Sequence, residues 1–124
     1  MAALAVGTGG FVGAVARWAM SSVVQRFAPA DGFPFGTFAV NLLGCVAIGA
    51  LATHLVHRDP PAPQVVQLLL VTGLLGAFTT FSTFGLETLT LLRGRHLVMA
   101  SAYVGGSVIL GVLGVIIGRV LVLR

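Results

Sequence analysis

A run of glycine, hydroxyl and phenylalanine residues between positions 73 and 85 carries most of the chemistry in this sequence. Its order is Gly-Leu-Leu-Gly-Ala-Phe-Thr-Thr-Phe-Ser-Thr-Phe-Gly, and none of its residues is charged. Glycine costs about 1 kcal/mol in a helix interior, and threonine is β-branched and competes for backbone hydrogen bonds. A helix interrupted at membrane depth is tolerated only where its freed backbone groups meet protein, water or an ion. The run therefore predicts a functional break in a helix.

The composition indicates what surrounds this run. Hydrophobic residues make up 57% of the 124 positions, mean hydropathy is +1.07, and only 8% of residues are charged, whereas soluble domains carry about 25%. We therefore predict an integral membrane protein with one transmembrane domain, residues 1–124. The seven basic residues are scattered arginines, which argues against nucleic-acid binding. The single Cys45 excludes a disulfide framework or a cysteine metal cluster.

Four apolar segments are each long enough to cross a bilayer, which needs about 20 residues. Short connections rich in proline, glycine and arginine separate them, so we predict an all-α protein of four transmembrane helices. The third contains the run described above and is predicted to break near the membrane centre. The segments cover residues 3–24, 35–56, 64–92 and 97–123 approximately.

The arginines that set membrane orientation are balanced between the two sides. With Arg17 left out because it lies within a span, one side receives Arg26, Arg93 and Arg95, and the other receives Arg58, Arg119 and Arg124. Orientation follows the bias of positive charge between loops, and here there is none. The balance is consistent with insertion in both orientations and with an antiparallel two-fold dimer, although small proteins also tie by chance.

Several polar residues fall inside the predicted spans, where such groups are costly and usually functional. Arg17 is either a snorkelling anchor or a positive charge at the mouth of an anion path. Asn41 follows Thr37 by one helical turn and either bonds a neighbouring helix or donates to an anion. Tyr103 and Ser107 have the same spacing and either line a pore or, for the tyrosine, lie at the membrane interface.

The charge balance of the spans favours an anion over a cation as the permeating species. Glu87 is the only acid in a span, and its nearness to Arg93 is consistent with an ion pair at the interface. Hydroxyl and amide hydrogens can replace the hydration shell of a small anion, as carbonyls do for cations. The positive ring edges of Phe81 and Phe84 can also face an anion, although phenylalanines at this spacing are more often packing residues.

Three motifs, in order, resemble those of the Fluc (CrcB) fluoride channels, and the resemblance covers essentially the whole chain. They are Gly9-Gly-Phe-Val-Gly-Ala-Val-Ala-Arg17, Gly36-Thr-Phe-Ala-Val-Asn41-Leu-Leu-Gly44 and Gly73-Leu-Leu-Gly-Ala-Phe-Thr-Thr-Phe-Ser-Thr-Phe84. Ala77 stands where many members have glycine, and Trp18 where tyrosine is usual. Both departures are mild, because alanine is small and tryptophan is also an interfacial aromatic.

The resemblance implies an antiparallel, dual-topology dimer with two pathways that carry fluoride passively out of a prokaryotic cell across the plasma membrane. It also implies one structural sodium ion at the dimer centre. Some members pair two paralogues, so the expected homodimer leaves a heterodimer open. The implied fluoride pathway comprises Asn41, Phe81, Ser82, Thr83, Phe84, Tyr103 and Ser107, the vestibule Arg17, and the sodium ligands the backbone carbonyls of Gly76 and Thr79.

Two other functions compete with this interpretation. A small dual-topology multidrug exporter also has four helices, but it requires a deep carboxylate, typically in its first helix, and this first helix has none. A membrane assembly protein would explain the glycine-rich helix faces but not the hydroxyl cluster. We do not expect an enzyme, because the sequence has no nucleophile–base pair, metal cluster or phosphate-binding loop.

Overall fold

The computed structural model describes all residues, 1–124, and every regular element in it is a helix. Four helical spans are long and apolar enough to cross a membrane, with mean hydropathies from 1.2 to 2.1. The expected all-α architecture with four such helices is therefore confirmed. The spans are α1 (Ala2–Phe27), α2 (Phe35–His57), a third span (Gln64–Arg93) and α5 (Leu97–Val122).

The third span consists of two helical segments. The first, α3, covers residues 64–78 and includes a π-helical stretch at Leu68–Leu75. The second, α4, is the α-helix Phe81–Arg93. Between them Thr79 and Thr80 have extended backbones, with ψ angles of 159° and 118°. Threonine adopts this conformation readily because its β-branched side chain favours extended geometry.

Helix α1 packs directly against the backbone of α3. A Cβ atom at Gly9 would collide with the carbonyl oxygen of Leu69, and one at Gly13 would collide with that of Leu74. On the facing helix, a Cβ at Gly73 would lie 2.7 Å from the carbonyl oxygen of Val6. Small residues at such a crossing let helices approach where lipid provides no hydrophobic driving force. The glycines of the first motif therefore position the carboxyl end of α3.

Helices α2 and α5 form a second close pair. Gly49 of α2 faces the Val115 carbonyl, and Gly118 of α5 faces the Val46 carbonyl, so that neither position has room for a side chain. Gly111 and Gly114 are also buried on this face of α5. The two helix pairs hold Asn41 of α2 and Ser107 of α5 beside the interruption of the third span.

The outer surface of the single chain is apolar. Only 18 of 124 residues are buried, and large hydrophobic side chains such as Phe11, Trp18 and Ile109 are 62% exposed or more. Soluble monomers rarely expose apolar patches beyond a few hundred Å². This surface suits the hydrocarbon interior of a bilayer.

Candidate functional site

Asn41 fastens the interruption of the third span to α2. Its side-chain Nδ2 donates to the Thr80 carbonyl at 3.1 Å, and its Oδ1 accepts from the Thr80 amide at 2.8 Å. The side-chain amide thus satisfies both backbone groups of an extended residue, as a neighbouring β-strand would. One N–H of Nδ2 is used in this way, and the second has no protein partner.

The hydroxyl groups after the interruption form a local cluster at the start of α4. Thr80 Oγ1 accepts from the Thr83 amide at 3.3 Å and caps the helix. It also donates to Thr83 Oγ1 at 3.0 Å and lies 3.4 Å from Ser82 Oγ. Ser82 is exposed and Thr83 is half-buried. The structure therefore brings Ser82 and Thr83 to the same place, with Ser82 on the outer surface of the single chain.

Two backbone carbonyls at the interruption lose their helical donors. In a continuous helix the Thr80 amide would donate to the Gly76 carbonyl, but here it donates to Asn41. The Thr83 amide would donate to the Thr79 carbonyl, but it donates to the Thr80 hydroxyl. Gly76 is also exposed on the single chain. These are the two carbonyls that the resemblance assigns to the sodium ion.

A cavity of about 330 Å³ opens beside the interruption, between α2, α4 and α5. Ser107 contributes to its wall, and the Ser107 hydroxyl oxygen is buried without a hydrogen-bond partner in the protein. A buried hydroxyl without a partner is costly, so a ligand that accepts the O–H hydrogen of Ser107 would remove this cost. The cavity is lined by Asn41, Gly44, Cys45, Ile48, Thr79, Thr80, Phe81, Phe84, Ser107 and Val108.

Phe81 and Phe84 form an aromatic pair at the edge of this cavity. Their ring centroids are 5.6 Å apart and their planes are tilted by 40°. The Phe84 ring also packs on Tyr103, with centroids 5.1 Å apart. Phe81 is 82% exposed on the single chain, a very large fraction for a phenylalanine beside a polar cluster. Only Phe84 is therefore fixed by contacts within the chain.

Tyr103 lies in a buried hydrogen-bonded group and not on the wall of the cavity. It is fully buried, and its hydroxyl donates to Glu87 Oε2 at 2.6 Å. The other carboxylate oxygen of Glu87 accepts from Thr37 Oγ1 at 2.7 Å. Two of the alternatives left open by the sequence are not the ones seen in the single chain. Tyr103 packs inside the helix bundle and does not face outward, and the carboxylate of Glu87 accepts from hydroxyl groups instead of pairing with Arg93.

Thr37 and Glu87 are site residues whose roles the sequence analysis did not identify. The spacing of Thr37 and Asn41 predicted that both face one way, and both do reach the third span. The only sequence signal that pointed to a role for Glu87 was that it is the single acidic residue in a span. Its partners lie 50 and 16 residues away in the chain, so local spacing did not reveal them.

Arg17 lies at the carboxyl end of α3. Its Nε donates to the Ala77 carbonyl at 3.1 Å, and the side chain is half-buried. A positive group at the carboxyl end of a helix is favourable, because the last carbonyls lack donors and the helix dipole is negative there. The arginine is therefore close to the interruption as well as to the surface.

The donors and acceptors at this site define what it can bind. No group of three or more His, Cys, Asp or Glu residues is placed to hold a metal ion. Backbone carbonyl oxygens, such as those of Gly76 and Thr79, are ligands that hard cations accept. The unused amide hydrogen of Asn41 and the hydroxyl of Ser107 are suited to an anion. Donor groups suited to an anion and carbonyl groups suited to a cation therefore lie beside the same interruption.

Comparison with known proteins agrees with the geometry. The family model described as "CrcB-like protein, Camphor Resistance (CrcB)" matches residues 4–119. The chain is 47% identical over 116 residues to a protein of Chloroflexus aurantiacus, covering 93% of this chain and 90% of that protein. It is 44% identical over 115 residues to one of Paracoccus denitrificans, covering 93% and 89%.

A protein of Ruminiclostridium cellulolyticum is 42% identical over 118 residues, covering 95% of this chain and 89% of the relative. All three relatives are named "Fluoride-specific ion channel FluC". The multidrug exporter and the assembly protein are therefore set aside. This multi-pass membrane protein belongs to the CrcB family of fluoride-specific ion channels, which are not enzymes.

Proposed function

We propose that this protein exports fluoride passively across the plasma membrane of a prokaryote, as an antiparallel homodimer with a structural sodium ion at its centre. The observation that carries the proposal is the interruption at Thr79 and Thr80. It leaves two carbonyls without their helical donors and gathers amide, hydroxyl and ring groups around an adjacent cavity.

The anion path is assigned to the groups around the cavity. Fluoride is small and strongly hydrated, so entry requires several donors in place of water. The second N–H of Asn41, the unpartnered hydroxyl of Ser107 and the ring edges of Phe81 and Phe84 supply such groups. Several weak positions favour conduction, because an ion must leave each one as readily as it enters.

The hydroxyls of Ser82 and Thr83 and the buried group around Tyr103 continue this path. Tyr103 and Thr37 each hold a hydroxyl at the carboxylate of Glu87, beyond the ring of Phe84. We assign Arg17 to the vestibule, where the positive charge of its half-buried side chain attracts anions. Attraction of this kind raises the local anion concentration at a pore mouth.

Support for the sodium site comes from the carbonyls of Gly76 and Thr79. The amides that would donate to them in a continuous helix donate instead to the Asn41 side chain and the Thr80 hydroxyl. Oxygen ligands of this kind suit a hard cation. When bound, sodium supplies a fixed positive charge beside the anion path. The chain's own contribution is to hold the carbonyls in place through Asn41 and Thr80.

Support for the dimer comes from the exposed residues at the interruption and from the charge balance. Gly76, Phe81 and Ser82 are exposed on the single chain, although they belong to the polar, ring-containing site. A second chain would cover them. The three-against-three arginine balance allows both insertions, which an antiparallel homodimer needs. A paralogue as partner is the alternative outcome.

Replacing the exposed ring of the pair tests the anion path. We expect Phe81→Ile to abolish fluoride efflux from liposomes while the protein still assembles, because isoleucine keeps apolar volume but has no positive ring edge. Phe11→Ile is the matched control, since Phe11 is also exposed, at 73%, but lies on α1. Normal efflux through assembled Phe81→Ile protein would remove the ring from the mechanism.

A further inference from the structure

Arg17 donates a hydrogen bond to the Ala77 carbonyl, which loses its helical donor at the interruption. In a continuous helix the Phe81 amide would donate to the Ala77 carbonyl, but Phe81 follows the extended residues Thr79 and Thr80. The donor to Ala77 is instead Nε of Arg17, at 3.1 Å, from a residue 60 positions earlier in the chain. No other hydrogen bond of Arg17 to the protein is present, so the Ala77 carbonyl is the one protein acceptor of its guanidinium.

The packing of α1 on α3 explains how the guanidinium reaches this carbonyl. Gly13 lies one helical turn before Arg17, and it contacts the α3 backbone at Leu74 and Phe78. Residues four apart lie on the same face of a helix. Because α1 crosses α3 at Gly13, the Arg17 side chain lies against the last turn of α3. Ala77 is in this turn, next to Gly76.

We propose that Arg17 is a positioning residue for the cation site and that it acts through the Ala77 carbonyl. This inference rests on the proposed sodium site. Neighbouring peptide planes are linked through the φ and ψ angles of the residues between them. Holding the Ala77 carbonyl in one direction therefore limits the orientations of the nearby Gly76 and Thr79 carbonyls. Orienting these two carbonyls before the cation arrives lowers the ordering cost of binding.

The charge of Arg17 and its hydrogen bond act on the cation in opposite directions. The guanidinium repels a nearby cation, whereas the oriented carbonyls attract it. Removing the whole side chain therefore mixes two effects. Glutamine and methionine separate them, because both are uncharged and of similar length. In both arginine and glutamine, Cδ is bonded to a nitrogen that carries hydrogen. Glutamine can therefore keep the hydrogen bond to the Ala77 carbonyl, whereas methionine cannot.

The test compares Arg17→Gln and Arg17→Met as purified dimers in liposomes. Fluoride efflux is measured while sodium is titrated on both sides against N-methylglucamine. We expect about a fivefold higher half-saturating sodium concentration for Arg17→Met than for Arg17→Gln, in line with the loss of one net hydrogen bond. At saturating sodium the two variants should conduct equally, because neither change touches the cavity wall.

The outcomes separate this inference from the proposed function. Sodium-dependent efflux by the wild type with identical titrations for the two variants would overturn the positioning role and leave the sodium site standing. Wild-type efflux that is insensitive to sodium would overturn both. If the Arg17→Met protein does not assemble, the comparison of Arg17→Gln with the wild type tests the proposal. The half-saturating concentration of Arg17→Gln should be no higher than that of the wild type, and a several-fold increase would contradict the proposal.

Discussion

Asn41 and Ser107 differ in how their polar groups are used at this site. Asn41 satisfies both backbone groups of Thr80 and keeps one amide hydrogen unused. Ser107 makes no hydrogen bond in the chain, although its oxygen is buried. The first residue is therefore necessary to the backbone geometry and available to an ion, whereas the second is available to an ion only. The two roles give different expectations on substitution.

Ser107→Ala tests the role of this unpartnered hydroxyl. We expect unfolding stability to stay the same or rise by about 1 kcal/mol, because a buried group without a partner is removed. Fluoride efflux should fall about tenfold, which corresponds to one lost hydrogen bond of about 1.4 kcal/mol. Thermal unfolding in detergent and liposome efflux measure the two quantities.

Ser101→Ala is the control on the same helix, because Ser101 is exposed and makes no side-chain hydrogen bond in the protein. It should change neither quantity. A Ser107→Ala protein that loses stability but conducts normally would show that the hydroxyl is structural, and the assignment of Ser107 to the anion path would then be wrong.

At the scale of the helix, close approach depends on a few glycines. A Cβ atom at Gly118 would collide with the Val46 carbonyl and lie 2.8 Å from the Ala50 amide nitrogen, so that α2 and α5 would have to separate. Around Gly105, on the same helix, there is open space. Gly105 therefore provides a control position for a substitution at Gly118.

We expect Gly118→Ala to destabilise the folded protein by about 2 kcal/mol, because overpacking at a backbone contact forces helix displacement. Gly105→Ala should be neutral or slightly stabilising, since alanine is the better helix former. Thermal unfolding of both variants in one detergent is the measurement. Equal midpoints for the two proteins would contradict the packing described here.

The elements were largely predictable from the sequence, whereas their contacts were not. Four apolar segments of bilayer length indicate four helices because hydropathy and length suffice for that. The π-helical turns at Leu68–Leu75 have no corresponding signal in composition or spacing. The partners of Glu87 come from α2 and α5, and only the packed structure brings them together. Local patterns predict which residues are unusual but not which of them meet.

For the whole molecule, the surface of the single chain leaves part of the candidate site uncovered. Its site residues Phe81 and Ser82 face outward, and its apolar exterior has no internal cover. The balanced arginines permit the opposite insertion of a second copy. An antiparallel pair would place two interruptions together and surround a central cation with carbonyls from both chains. The function proposed above is therefore assigned to such a pair.

Dual insertion can be tested with a single thiol in the first loop. In a Cys45→Ser background, Ala30→Cys places an exposed thiol between α1 and α2. We expect an impermeant maleimide to label about half of the protein in intact spheroplasts and all of it after permeabilisation, because the charge bias is nil. Labelling of nearly all or almost none before permeabilisation would indicate one orientation and a partner of opposite insertion.

The most direct test of the central claim is anion efflux from liposomes that contain this protein alone, with sodium present. A fluoride electrode and a chloride electrode follow the two ions in parallel preparations. We expect rapid loss of fluoride with no loss of chloride above that of protein-free liposomes, which would show that one chain suffices as a selective homodimeric channel. Retention of fluoride by vesicles that contain well-folded dimer and sodium would contradict the account.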